Sequence, residues 1–249
     1  MAVNTSMFVK IGANIKEFSS KMQNVQRTLG NVSKKMVNIG QTMTTSLTLP
    51  LSLLGAGAIK SASDFQEFQS KFNTIFSDIE QKANNTAQSL ADSFGLSNSQ
   101  ALELLGNTGD LLTGFGFTQE EALKLSKQVN ELSVDLASFT NFSGGASGAS
   151  EALTKALLGE RESIKSLGIA ITEADLKRFA EEQGLVFKEL DRVTKAQLTF
   201  DLALRQSQNA VGDYARTQES FANQTRKLKS DIGDLAVQFG EILLPAAQK

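Results

Sequence analysis

Apolar residues along the chain recur at intervals of three and four, the period of helices with one buried stripe. The clearest run lies in the last quarter: Val211, Tyr214, Gln218, Phe221, Thr225, Leu228, Ile232, Leu235, Phe239 and Ile242. Its alternating 3-4 spacing keeps one narrow seam facing a partner helix, and Arg216, Glu219, Arg226, Lys227, Lys229, Asp231, Asp234 and Glu241 fall off the seam. The pattern predicts one amphipathic helix from Asp213 to Leu244, about 48 Å long at 1.5 Å per residue. It would lie on its own domain or pair with copies of itself as a coiled coil. Gln218 and Thr225 would then fix register. Pro245 is placed to end the helix, and Gly212, Gly233 and Gly240 weaken it.

Upstream, Met7, Val9 and Ile11 alternate with Phe8, Lys10 and Gly12 as in a short strand. Phe18, Met22, Val25 and Leu29 then give a helix stopped at Gly30, and Val32, Met36 and Ile39 a second stopped at Gly40. Leu47–Ile59 is the most apolar window. It is too short to span a membrane, and Pro50, Gly55 and Gly57 suit a buried turn or a close helix contact. Phe65, Phe68, Phe72, Ile75 and Ile79 predict a core-facing helix from Ser63 to about Lys82, and a further helix ends at Gly95.

Four helix starts share a hydroxyl cap with a polar partner three residues on: Ser97 with Gln100, Thr118 with Glu121, Thr172 with Asp175 and Thr194 with Gln197. Between the second and third, Ala122, Leu125, Val129, Leu132, Leu136 and Phe139 form another seam. Asn141–Ser150 reads as a Gly/Ser loop or hinge, followed by helices over Ser150–Leu158, Thr172–Glu182 and Thr194–Ala210. The expected fold is all-α. A basic segment of strand and helical hairpin spans 1–62, a helical domain 63–210, and the heptad helix 211–249.

Composition narrows the chemistry. The 249 residues include no cysteine, histidine or tryptophan, which removes disulfides, almost every zinc site and every His-dependent triad. No cofactor is expected. The Gly/Ser loop lacks the Gly-Lys-Ser/Thr ending of a phosphate-binding loop. Net charge is −2, but residues 1–60 carry +6 and the remainder −8. Lys21, Arg27, Lys34 and Lys35 are accordingly candidates for contact with a DNA end or an acidic protein lining, against the plainer reading of a solvated helix face.

Certain of these residues also resemble a known family. The run Gly212–Pro245, GDYARTQESFANQTRKLKSDIGDLAVQFGEILLP, is similar to the end of the N-terminal domain of phage tail tape measure proteins. Shared features are Gly-Asp, an aromatic, Ala-Arg-Thr, Ser, Ala-Asn, Arg-x-Leu and a late Leu-Leu-Pro. Ala156–Gly184 resembles the family's Gly-Glu-x-Glu-Ser stretch, and the opening MFVKIGANIKEFSSKMQNV with LTLPL its start. The likeness implies a structural, non-enzymatic protein of the virion. Three or six copies would occupy the tail-tube lumen, help to set tail length and leave during DNA ejection. It also implies tail tube protein and tail assembly chaperones as partners, with passage through the host cytoplasm during assembly. Even a wholly helical chain of this length reaches only about 370 Å, so a longer product is expected.

Two other classes have a foothold. Leu47, Leu49, Leu51, Leu53 and Leu54 would serve a membrane-penetrating segment with transient host-membrane contact. Gly159-Glu160-Arg161-Glu162-Ser163 resembles the Glu-Ser of goose-type lysozymes and lytic transglycosylases, with Glu160 or Glu162 as the acid in peptidoglycan cleavage. Such an acid needs an apolar pocket, and three consecutive charges are a poor start for one.

Overall fold

The computed structural model describes residues 51–247 together with Arg27, which is helical and exposed. Among these the fold is all-α. The helices are α1 (Leu51–Ile75), α2 (Glu80–Phe94), α3 (Asn98–Phe115), α4 (Gln119–Phe139), α5 (Gly145–Leu157), α6 (Glu173–Glu182), α7 (Arg192–Gln206), α8 (Asp213–Thr217) and α9 (Phe221–Ala247). The strand at residues 7–11 and the helices ending at Gly30 and Gly40 lie outside the described residues.

α4 is the hub, with α2, α3, α5, α7 and α8 packed around it. Five of its six expected seam residues are buried; Phe139, the last, is 52% exposed. The helix is buried on other faces too, because Ser126, Asn130, Ser133 and Asp135 are themselves inside. Asn130 is fully buried and satisfied: it donates to the Ser126 carbonyl at 2.8 Å and accepts from Ser150 Oγ at 2.5 Å. A buried amide left unpaired would cost about 1–3 kcal/mol, so this pairing ties α4 to α5.

Three of the four expected capping boxes form, at Ser97, Thr118 and Thr172, each reciprocal between cap and third residue. The fourth does not. Asp191 accepts from the Thr194 amide at 2.7 Å and starts α7 three residues earlier, while Gln197 turns to Asp201 instead. Cap identity was decided by which polar side chain came first.

The helix expected from Ser63 begins at Leu51, directly after Pro50, so Ser63 is mid-helix and the boundary drawn at 62/63 falls inside α1. The helix stops at Ile75, short of Lys82, where Phe76 buries completely and a short 3-10 turn over Ser77–Ile79 leads to α2. The expected hinge at 141–150 shrinks as well. Asn141 adopts φ 47 and α5 begins at Gly145, because the Phe142 ring lies over Gly144 and Gly148, where larger residues would collide with it.

α9 packs chiefly on α1. Asn223, Ser230, Val237, Gly240 and Leu244 of α9 are buried, and on α1 Ala58 and Ala62 are too. At Gly240 the helices approach so closely that a Cβ would overlap the Ala58 carbonyl. This small-residue crossing is the physical reason for a glycine that helix propensity alone disfavours. Gly240→Ala should therefore destabilise by about 2 kcal/mol, overpacking outweighing the propensity gain. Gly233→Ala, whose Cβ would meet Ser97 Cβ at an ordinary 4.0 Å, should instead stabilise by about 0.5–1 kcal/mol. Denaturant unfolding of the two variants reads both signs.

Candidate functional site

Residues 212–226 gather at one corner, where α8 turns into α9 beside the end of α4. Asp135, buried on α4, accepts from the amides of Gly212 at 2.6 Å and Tyr214 at 3.0 Å. These are among the amides at the start of α8, donors with no partner inside that helix. Arg216 folds back onto the Val211 and Asn209 carbonyls, at 2.6 and 3.1 Å, closing the loop before the helix. Tyr214 is buried, its ring 5.8 Å from that of Phe94. Its hydroxyl sits over Gly95, which caps α2 at φ 59 and has no Cβ to obstruct it. Burial, with help from Asp231, pushes the Tyr214 hydroxyl above its usual range.

The second half of the corner is polar. Asn223 Nδ2 donates to Thr217 Oγ1 at 2.8 Å and reaches Ser138 Oγ of α4 at 3.1 Å. Thr217 Oγ1 in turn donates to the Asp213 carbonyl at 2.7 Å. Arg226 spans Asn223 Oδ1 at 2.5 Å and Asn141 Oδ1 at 2.9 Å, linking α9 to the α4–α5 turn. Ser220 accepts from the Asn223 amide at 3.3 Å and so caps the first turn of α9. Gly212, Tyr214, Arg216, Thr217, Ser220, Asn223 and Arg226 thus form one latch. Its partners Asp135 and Ser138, off the apolar seam of α4, and Asn141, at the start of the expected Gly/Ser loop, were missed in the sequence.

The latch corrects the single helix expected from Asp213 to Leu244. α8 ends at Thr217, the chain turns through residues 218–220, and α9 starts at Phe221. Gln218 is exposed in that turn, and Thr225 donates to its own helix at the Phe221 carbonyl, 2.7 Å away, so neither side chain reaches across to another helix here. Val211 and Phe221 are 39% and 63% exposed. Leu235 is buried, while Leu228, Ile232, Phe239 and Ile242 are partly covered. Pro245 does not end α9, which runs on to Ala247.

Farther along, α9 meets the N-terminus of α3. Ser230 donates to Gln100 Oε1 at 3.0 Å, and Asp234 accepts from the Asn98 amide at 3.0 Å. Burial pushes the Asp234 carboxyl up to about 6; Asp231 adds to this, while the Asn98 amide and Lys227 oppose it.

The other candidate residues do not join this corner. Glu160 and Glu162 are exposed, Glu162 paired with Lys165 at 2.6 Å, so neither has the apolar enclosure that a glycan-cleaving acid requires. Leu51, Leu53 and Leu54 lie in the first turn of α1; Leu47 and Leu49 lie outside the described residues, as do Lys21, Lys34 and Lys35. Among the described residues no helix is long and apolar enough to cross a membrane, and no cluster of side chains could hold a metal ion. Comparison with known protein families, with curated proteins and with solved structures finds no match.

Two outcomes test the corner. Asp135→Ala strands one buried and one partly buried amide and should cost about 3 kcal/mol in unfolding free energy, whereas Asp135→Asn keeps an acceptor and should cost roughly half as much. Asp234 has its pKa raised on folding from an ordinary 3.8 to about 6. The folded protein therefore holds this proton more tightly, and the group's contribution is full below about pH 4 and lost as pH rises through 6. Asp234→Asn keeps a carbonyl acceptor for Asn98. Relative to the parent, it should gain about 1–2 kcal/mol between pH 4 and 7, after allowing for solvent screening of a partly exposed group. Unfolding free energies of both proteins across that range give the difference.

Proposed function

We propose that the chain is a structural protein of a phage tail, of the tape measure type, working inside the tail tube and in no enzymatic role. What supports the reading is where the likeness falls. Within residues 212–226, the Gly212, Tyr214, Arg216, Thr217, Ser220, Asn223 and Arg226 positions of the resemblance take part in the latch. In this reading the described body is a head, and the latch fixes the direction in which α9, about 40 Å long, lies back along α1.

Several copies, three or six by the resemblance, would lie together in the lumen beside tail tube subunits, delivered there by tail assembly chaperones. Tail length would be set by helical sequence in the longer product and not by the head itself. The basic N-terminal segment would meet the DNA end or the tube lining through salt-sensitive contacts.

The test is genetic. Removing this coding sequence from the phage or prophage that carries it should give lysates without tails, or with tubes of irregular length, by negative-stain electron microscopy. Expression from a plasmid should restore uniform tails. Tails of normal length and number without the gene would overturn the reading.

A further inference from the structure

Asparagine is costly inside an apolar core unless its polar atoms are met, and Asn130 is fully buried near the middle of α4. Around it stand Thr108 of α3 and Ser150 and Thr154 of α5, all buried. Asn130 Nδ2 lies 3.4 Å from Thr108 Oγ1, Thr108 Oγ1 lies 3.3 Å from Ser150 Oγ, and Ser150 Oγ lies 2.5 Å from Asn130 Oδ1. The three contacts close a ring with one member on each helix.

The protons give the ring one direction, because a hydroxyl has a single proton to donate. Asn130 Nδ2 also donates to the Ser126 carbonyl at 2.8 Å, and turning the amide over would set two oxygens against each other there. Oδ1 is thereby fixed as the acceptor for the Ser150 hydroxyl. Ser150 Oγ is then open to accept from Thr108, and Thr108 Oγ1 to accept from Asn130 Nδ2. Thr154, 3.4 Å from Thr108, donates to the Ser150 carbonyl of its own helix at 2.7 Å and stands as a second acceptor for Thr108. In such a ring each donation makes the donor's own oxygen a better acceptor, so the bonds support one another.

The apolar packing of α5 is less demanding. α5 packs chiefly on α4, and its buried residues include Ala149, Ala152 and Ala156 beside Leu153 and Leu157. Methyl groups make much the same contacts when a helix turns by a few tens of degrees. A turn of about 30° would move Ser150 Oγ by about 2 Å, out of hydrogen-bond reach of its partners.

We propose that the ring of Asn130, Thr108 and Ser150 is a conformational key, fixing the rotation of α5 on α3 and α4. It selects one packing among several with similar apolar contact and adds little to stability. The proposal does not depend on the phage-tail reading. The setting of α5 reaches the latch, because Asn141, in the turn from α4 into α5, accepts from Arg226 at 2.9 Å.

The test removes the polar atoms and keeps the shape, with Thr108→Val, Asn130→Leu and Ser150→Ala together in the full chain. A buried polar cluster replaced as a whole by apolar groups of like volume is often neutral or stabilising. The folding constant from denaturant unfolding should therefore stay within about fivefold of the parent's or rise. In proton–nitrogen NMR spectra the amides of residues 140–158 should split into two or more sets of peaks or broaden, where the parent gives one set. A single sharp set from the triple variant would overturn the proposal. So would a greater loss in the folding constant, which would make the ring a source of stability instead. Thr108→Val and Thr108→Ser, single changes of nearly parental volume, give a second measurement. Peaks of residues 140–158 should split or broaden with valine and stay single with serine, which restores the hydroxyl. Identical spectra from the two would overturn the proposal whatever the triple variant does.

Discussion

The carboxylate of Asp135 is the point on which the C-terminal third depends. A five-residue helix such as α8 has too few internal hydrogen bonds to persist by itself. Its first amides need acceptors, and the protein supplies them from Asp135, near the C-terminal end of the buried helix α4. Once Gly212 and Tyr214 are held there, Tyr214 drops against Phe94 and Gly95, and the next turn brings Thr217 and Asn223 onto Ser138. The start and heading of α9 follow from that sequence of contacts.

At its other end α9 is held differently, by shape. Gly240 against Ala58 and Ala62 permits close backbone approach, with Val237 and Leu244 buried on either side of it. Between the two anchors, Asp234 and Ser230 meet the first turn of α3, where a partly buried carboxyl sits at a helix N-terminus. A directional polar latch, a titratable contact and a tight apolar crossing thus act on one helix. Together they fix the orientation of α9 relative to the rest of the described body.

Much of the architecture was legible in the chain. Long periodic segments and reciprocal capping boxes gave the all-α class, the stop at Gly95 and the starts of α3, α4 and α6. What was hidden was hidden for physical reasons. Ser126, Asn130, Ser133 and Asp135 are polar in sequence and buried in the fold, so α4 read as a one-sided helix when it is a central one. Asp191 displaced Thr194 as a cap because the two compete within three residues. Of the apolar seam Phe221 to Ile242 only Leu235 is fully buried, whereas the face packed on α1 mixes Val237 and Leu244 with Asn223, Ser230 and Gly240, polar and small residues that hydrophobic spacing cannot register. The latch was visible only as a recognisable string of residues; its partners on α4 and at Asn141 lie some 80 positions away and carry no local signal.

The integration of α9 into the body is open to one direct measurement, native-state hydrogen exchange followed residue by residue in the intact protein. If the Asp135 latch and the Gly240 crossing hold as described, the amides of Gly212 and Tyr214 and those of α9 between Lys227 and Gly240 should open only with α4, at the free energy of global unfolding. Exchange of α8 and α9 many times faster than α4, as a separate unit, would contradict it.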